Sequence, residues 1–214
     1  MKREQLARSY HAIYSMGRKC LVAIQLHRLG LRKFGGMLDW NRSVHLSNVN
    51  LLLRNRFAGY MELDNLEFTG YDQGDRCLML RDRVYDIYSV HDYPKDFNSP
   101  EHLVSYPEVK AMYDRRIQRF LEKTAVLPWL LFIRIDGTYE EVVELERQLR
   151  SYVRHQFHIL LVLHGDHLGI VEIDWNLEHV CVVSIDTEQL NDEVWDELLA
   201  SVAYEEYAGQ PDKP

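Results

Sequence analysis

Three runs of apolar residues constrain the fold of this chain more than any other feature. They lie at residues 129–135, 158–163 and 180–185. Such runs are typical of strands buried on both faces of a sheet. Amphipathic helices are predicted between and before them, at 107–123 and at 138–153, the second opening with a Thr-x-x-Glu capping pattern. This alternation predicts an α/β fold with a mostly parallel central sheet and helices on both faces, a Rossmann-like three-layer arrangement.

The length and composition predict one domain with short polar ends. The 214 residues suit a single large core. We expect a polar lead-in at 1–11, one α/β domain at 12–205 and a mobile acidic tail at 206–214. The sequence shows no signal peptide and no run of about eighteen apolar residues, so no membrane partner is expected. Three scattered cysteines argue against a disulfide framework, and a cytoplasmic location is the natural expectation.

The charge distribution limits the class of partner. A net charge of −8 argues against nucleic acid, because phosphate binding needs a basic surface. An early basic cluster could hold an anionic substrate group, or it could be the solvated face of a helix. Its members are Arg18, Lys19, Arg28, Arg32 and Lys33.

The segment 13–29 carries the strongest chemical signal. It predicts a short strand, a turn at Gly17, and Cys20 at the start of an apolar helix. The helix dipole and the unpaired N–H groups there favour a thiolate and could hold an oxyanion near Gly17–Cys20. The alternative is that Cys20 is a small buried residue at a strand–helix corner.

A nucleophilic cysteine needs a base and a group that orients the base. His91 follows a predicted strand at 83–90, and either Asp39 or Asp92 could orient it. In parallel sheets, sites gather at the carboxyl ends of strands. A surface-loop histidine is the alternative interpretation of His91.

Several residues near these positions are expected to contact substrate. Trp40 would shield the site from water. Arg134, at the end of a buried strand, needs a partner: a substrate carboxylate or phosphate, Asp136, or Asp39. The expected substrate-binding residues are Gly17, Arg18, Trp40, Arg42 and Arg134.

A metal site is a weaker hypothesis. His164, Asp166 and His167 are metal-ligand types in one loop, but their spacing matches no compact motif, so no metal is assigned. No cofactor is expected either, apart from acyl-CoA or a similar acyl donor if the protein is a transferase.

Five separated segments together resemble a known family. They are 15–20 (SMGRKC), 36–40 (GMLDW), 90–92 (VHD), 109–120 (VKAMYDRRIQRF) and 132–134 (FIR). In their order and spacing they resemble a bacterial family of uncharacterised proteins labelled "putative papain-like cysteine peptidase", over roughly residues 10–185. Gly36-Met-Leu stands where the family would have Pro-Phe before Asp39-Trp40.

The resemblance implies roles for the residues that match. Cys20 would be the nucleophile, His91 the base, and Asp39 or Asp92 the orienting acid. The predicted elements do not form the two-lobed papain fold, and they are similar to small cysteine-centred acyltransferases of capsule polysaccharide synthesis, which also carry Gly-x-x-Cys after the first strand.

Three hypotheses about function follow. The first is a cysteine hydrolase or acyltransferase acting on an ester, thioester or amide of a small molecule, glycan or peptide. The second is a binding module that holds an anionic sugar or nucleotide through Arg18, Arg42 and Arg134, with no covalent step. The third is a metal-dependent hydrolase. The oligomeric state is left open.

Overall fold

The computed structural model describes residues 1–187 and 191–209. The helices are α1 (Leu21–Arg28), α2 (Leu46–Arg54), α3 (Tyr106–Val126), α4 (Tyr139–Arg150) and α5 (Asp192–Leu199), with 3-10 helices at Arg3–Leu6 and Leu63–Asn65. The strands are β1 (Arg8–Tyr10), β2 (Ala12–Ser15), β3 (Asn41–Arg42), β4 (Leu66–Tyr71), β5 (Leu78–Asp82), β6 (Ile87–Ser89), β7 (Asn98–Ser99), β8 (His102–Leu103), β9 (Trp129–Ile135), β10 (Gln156–His164), β11 (Val171–Ile173), β12 (Val180–Ile185) and β13 (Val202–Tyr204).

The three apolar runs form neighbouring strands of one five-stranded sheet. Its order is β11-β12-β10-β9-β2. The pairs β12·β10, β10·β9 and β9·β2 are parallel, and β11 joins the edge in the antiparallel direction. The prediction of an α/β chain is confirmed.

Both faces of this sheet are covered by helices. Successive residues of a strand point to opposite faces. Leu130 and Phe132 of β9 therefore pack in one buried cluster with residues of α2, α3 and α4. Leu131 and Ile133 pack in the other with residues of α1 and α5.

The prediction of one mostly parallel sheet is incomplete, because the chain also forms an antiparallel sheet of order β3-β6-β5-β4. The strand predicted at 83–90 is shorter in the structure, where β6 covers only Ile87–Ser89 and a turn precedes it. Asp82 Oδ1 accepts the N–H groups of Val84 and Tyr85, at 2.9 and 3.1 Å, and so bends the chain before the short β6. His91 thus follows a strand of the second sheet and not of the central one.

The N-terminal segment is part of the fold and not a polar lead-in. Leu6 and Tyr10 are fully buried, and β1 pairs in parallel with β13. Of the acidic tail predicted at 206–214, residues 210–214 lie outside the described residues. In the described part of the chain, no helix has both the length and the apolar character needed to cross a membrane.

Candidate active site

The turn between β2 and α1 places Cys20 at the start of a helix, as predicted. Gly17 and Arg18 both have positive φ, 82° and 75°. A Cβ on Gly17 would lie 2.3 Å from Ser43 Oγ, so only glycine fits there. Cys20 is the N-cap residue, is partly exposed, and its side chain makes no capping hydrogen bond. Within the described residues the Cys20 thiol makes no hydrogen bond.

Ser43 holds this turn in place, a role that the sequence did not indicate. Its buried hydroxyl accepts the Arg18 N–H and an Arg134 Nη1–H, both at 2.9 Å. A serine shortly before an apolar helix looks like a helix cap, but α2 begins at Leu46, with His45 as its N-cap residue. Because both partners of Ser43 are distant in sequence, no local signal could have revealed the contact.

Arg134 is a structural residue, which corrects its predicted contact with substrate. Its side chain is fully buried, and burial, more than the nearby Arg18, lowers its pKa to about 9. Its donors are taken up by the protein, so none is left for a substrate anion. Besides the Ser43 hydroxyl, its acceptors are the carbonyl oxygens of Met16, Ser43, Val44 and Asp136.

Two other predicted contacts near the cysteine also have structural partners. The Arg18 guanidinium pairs with Asp136 at 2.7 Å. The Gly17 N–H donates to Ser15 Oγ at 3.4 Å, and the Arg18 N–H is held by Ser43. These two N–H groups are therefore not free to bind an oxyanion. The first turn of α1, whose N–H groups have no acceptor within the helix, offers alternative donors.

Asp39 and Trp40 lie in a turn before β3. Asp39 is almost fully buried, and its Oδ2 accepts Arg32 Nε–H at 2.7 Å and the Gly36 N–H at 2.8 Å. A Cβ on Gly36 would lie 2.7 Å from Asp39 Oδ1, which explains a glycine at this position. Trp40 is half-buried, with the Arg32 guanidinium 5.5 Å from its ring centre.

The segment after β6 presents His91 to solvent and turns Asp92 inward. His91 is exposed, and Cys77 Sγ lies 3.6 Å from its carbonyl oxygen. Asp92 Oδ2 accepts hydrogen bonds from Ser89 Oγ at 2.5 Å and from the Tyr113 hydroxyl at 2.7 Å. Asn41 Nδ2 donates to the same hydroxyl at 2.9 Å.

Arg42, the last predicted contact, lies on the outer face of the second sheet. Its side chain is exposed, and its guanidinium stands 4.5 Å from the centre of the Tyr88 ring on the neighbouring strand.

Backbone contacts bring these three segments to one region. The Arg18 carbonyl accepts the Ser43 N–H at 3.2 Å, and Leu38 Cβ lies 3.6 Å from the place of a Gly17 Cβ. In the β3·β6 pair Asn41 stands opposite Ser89, so the turn that carries Asp39 and the segment that carries His91 leave this pair at the same end. Across residues 1–187 and 191–209, no hydrogen bond joins the Cys20 and His91 side chains.

The other cysteines, and the histidines of the loop at 164–167, lie in different surroundings from Cys20 and His91. Burial raises the pKa of the half-buried Cys77 thiol, and it raises that of the fully buried Cys181 to about 12. His167 contacts Ser184 Oγ at 2.9 Å, whereas His164 contacts Thr187 Oγ1 at 3.2 Å. No group of three metal-ligand side chains suited to an ion occurs within the described ranges.

Comparisons with known proteins agree with the resemblance seen in the sequence. A protein of Acanthamoeba polyphaga mimivirus, titled "Uncharacterized protein R408", is 28% identical over 133 residues, which cover 56% of this chain and 59% of the viral protein. The chain thus spans about three fifths of the length of this curated relative, and the relative does not support the bacterial origin that the resemblance suggested. No solved structure matches the chain.

The family model covers the segments that form the candidate site. It is described as "Putative papain-like cysteine peptidase (DUF1796)" and matches residues 11–167, which include Cys20, Asp39, His91 and Asp92. The chain belongs to this family.

Proposed function

We propose that this protein is a cysteine-dependent hydrolase that cleaves an ester, thioester or amide bond through Cys20. The observation that carries the proposal is the partly exposed thiol at the first turn of α1, on a turn fixed by Ser43 and without a capping task of its own. A helix start favours negative charge on sulfur and on a developing oxyanion. Membership of the family supports the assignment.

In the proposed mechanism Cys20 is the nucleophile and His91 is the general base and acid. His91 takes the proton of Cys20, and the sulfur attacks the acyl carbonyl to form a tetrahedral adduct. N–H groups of the first turn of α1 bind the oxyanion. The adduct then collapses, the leaving group departs with the proton from His91, and the acyl group stays on sulfur. His91 next removes a proton from water, which attacks the thioester and releases the acid and the thiol.

We propose Asp39 as the acid that orients His91, and Asp92 as an anchor of the His91 segment. The turn with Asp39 and the segment with His91 leave the β3·β6 pair at the same end. The Asp92 carboxylate is instead bound by Ser89 and Tyr113 on the inner side. An oriented imidazole is a better base because the required tautomer is already present.

Two of the three arginines that the binding-module hypothesis requires have partners within the protein. Arg134 donates to backbone carbonyls and Ser43, and Arg18 pairs with Asp136. The metal hypothesis has no ligand group in the described ranges to support it. Neither therefore stands as a second candidate function.

The test is covalent trapping. The protein is incubated with 4-nitrophenyl acetate and with peptide libraries, and the intact mass is followed with time. We expect an acyl adduct on Cys20 that turns over in buffer, is absent from Cys20→Ala, and persists in the matched variant Cys77→Ala. His91→Gln should slow the turnover by about 10²-fold or more, whereas the exposed His102→Gln should not. Equal acylation and turnover in Cys20→Ala and the wild type would refute the proposal.

A further inference from the structure

Arg116 of α3 presents a guanidinium group that lacks an acceptor. The side chain is half-buried and lies against the loop before Asp39, since a Cβ on Gly35 would be 3.1 Å from Arg116 Nε. Its Nη1 atom is buried and has no hydrogen-bond partner. No ion pair of Arg116 occurs among residues 1–187 and 191–209. Buried guanidinium N–H groups are nearly always paired, so this one requires an explanation.

Two further arginines converge on the same loop. Arg119, one turn along α3, donates from Nη1 to the Gly35 carbonyl at 3.2 Å, and within the described part of the chain it makes no ion pair. Arg32 pairs with Asp39, at the end of this loop, at 2.7 Å. Three guanidinium groups thus lie around one loop that carries a single carboxylate, in a chain whose net charge is −8. This local excess of positive charge attracts anions.

The loop that these arginines surround adjoins the candidate nucleophile. Leu38 lies against Gly17 in the Cys20 turn, and the turn with Asp39 leaves the β3·β6 pair at the same end as the His91 segment. The Arg116 guanidinium is also 5.9 Å from the ring of Tyr113, whose hydroxyl holds Asp92. An anion bound at Arg116 would therefore lie beside the region where an acyl group meets Cys20.

We infer that Arg116, supported by Arg119, binds a carboxylate of the substrate, so that the hydrolase selects acidic acyl compounds or peptides. The inference rests on the proposed function. The planar fork of arginine matches a carboxylate in two parallel hydrogen bonds, and the half-buried Arg116 has no acceptor of its own among the described residues. The carboxylate belongs either to an acidic side chain or to a free chain end, and both present the same group to Arg116.

Matched substrates test the selectivity. One set of fluorogenic peptides exchanges Glu for Gln at each position, and a second exchanges a free carboxyl terminus for an amide. We expect the wild type to favour the carboxylate in one of the two sets by about 10- to 100-fold in kcat/KM, mainly through KM. Arg116→Gln should bring this ratio close to one, and Arg116→Lys should retain part of it. Arg115→Gln, at the exposed neighbouring position, should leave it unchanged.

A binding measurement separates this inference from the proposed function. In the Cys20→Ala background, glutarate should raise the midpoint of thermal unfolding and its neutral diamide should not. Adding Arg116→Gln should abolish the shift, and adding Arg115→Gln should preserve it. Glutarate binding without Cys20 acylation would overturn the hydrolase and leave the anion site standing. Acylation of Cys20 with no preference for a carboxylate, or a preference and a shift that survive Arg116→Gln, would overturn the anion site.

Discussion

At the scale of single residues, the geometry near Cys20 depends on the absence of a side chain at Gly17. Its φ is +82°, and a methyl group there would lie 2.3 Å from Ser43 Oγ. That oxygen also accepts hydrogen bonds from Arg18 and Arg134, so it cannot move without breaking both. The Ser43 hydroxyl therefore joins the turn that presents the thiol to the buried Arg134 side chain.

Gly17→Ala should consequently destabilise the protein more than its backbone angle alone requires. Left-handed backbone costs a non-glycine residue about 1 kcal/mol, and the overlap with Ser43 should add about 1 to 3 kcal/mol. Gly30→Ala is the matched control, because its φ is +68° and nothing lies within 4 Å of the new methyl group. Urea unfolding of both variants measures the difference in the free energy of unfolding. Equal losses would show that the clash with Ser43 is not real.

At the scale of elements, local patterns predicted the central sheet and missed the second one. The strand at Trp129–Ile135 was predicted with its observed bounds, because an apolar run of that length needs no knowledge of its neighbours. The cap of α4 was also visible, since Thr138 and Glu141 satisfy each other across three residues. The strands β3 and β6 are two and three residues long, which is too short to show an alternation of apolar and polar residues.

The same limit explains what could be predicted of the candidate site. The sequence indicates the position of Cys20 because the strand, glycine turn and helix around it are contiguous. The contacts of Ser43, Tyr113 and Arg116 join residues that are far apart in the chain, and their side chains have no local pattern. The sequence marks Arg134 as a buried charge, but four of its five acceptors are backbone carbonyls, which no sequence pattern reveals.

Tyr113 connects α3 to the segments on either side of the site. Its hydroxyl donates to Asp92 and accepts from Asn41. Tyr113→Phe should remove both bonds and lower the free energy of unfolding by about 1 to 3 kcal/mol. Hydrogen exchange of residues 90–94 should become faster, since Asp92 would lose one of its two side-chain donors.

Tyr60→Phe is the matched control for this prediction. The Tyr60 ring lies 5.6 Å from that of Tyr113 and is equally buried, but its hydroxyl has no hydrogen-bond partner. Removing an unpaired buried hydroxyl should be neutral or stabilising. Chemical unfolding of both variants measures the two effects, and a Tyr60→Phe loss as large as that of Tyr113→Phe would contradict the assigned hydrogen bonds.

At the scale of the whole molecule, the N-terminal segment packs against residues 195–204 near the end of the described chain. Leu6 is fully buried in the cluster that contains Trp195 and Val202, and β1 pairs with β13. Leu6→Ala should therefore lower the free energy of unfolding by about 2 to 5 kcal/mol, as for other core leucines. Leu168→Ala, at a position 98% exposed, should change it by less than about 0.5 kcal/mol. Similar denaturation midpoints for both variants would show that the N-terminal segment contributes nothing to the core.

Acid should weaken the whole fold through His158, at the opposite end of the central sheet from Cys20. The imidazole contacts the Tyr10 hydroxyl at 2.8 Å, and burial, then Arg8, His179 and the N-terminal amine, lower its pKa to about 4. Between pH about 6.5 and 4 the unfolded chain therefore binds a proton that the folded chain does not, so stability is full above that window and falls as the pH drops through it. The shift corresponds to at most about 3 kcal/mol, and partial exposure of the ring reduces this to about 1 to 2 kcal/mol. The free energy of unfolding, measured from pH 7 to 4, should fall more steeply for the wild type than for His158→Gln. The exposed control His155→Gln should behave as the wild type does. Parallel curves for all three proteins would refute this role of His158.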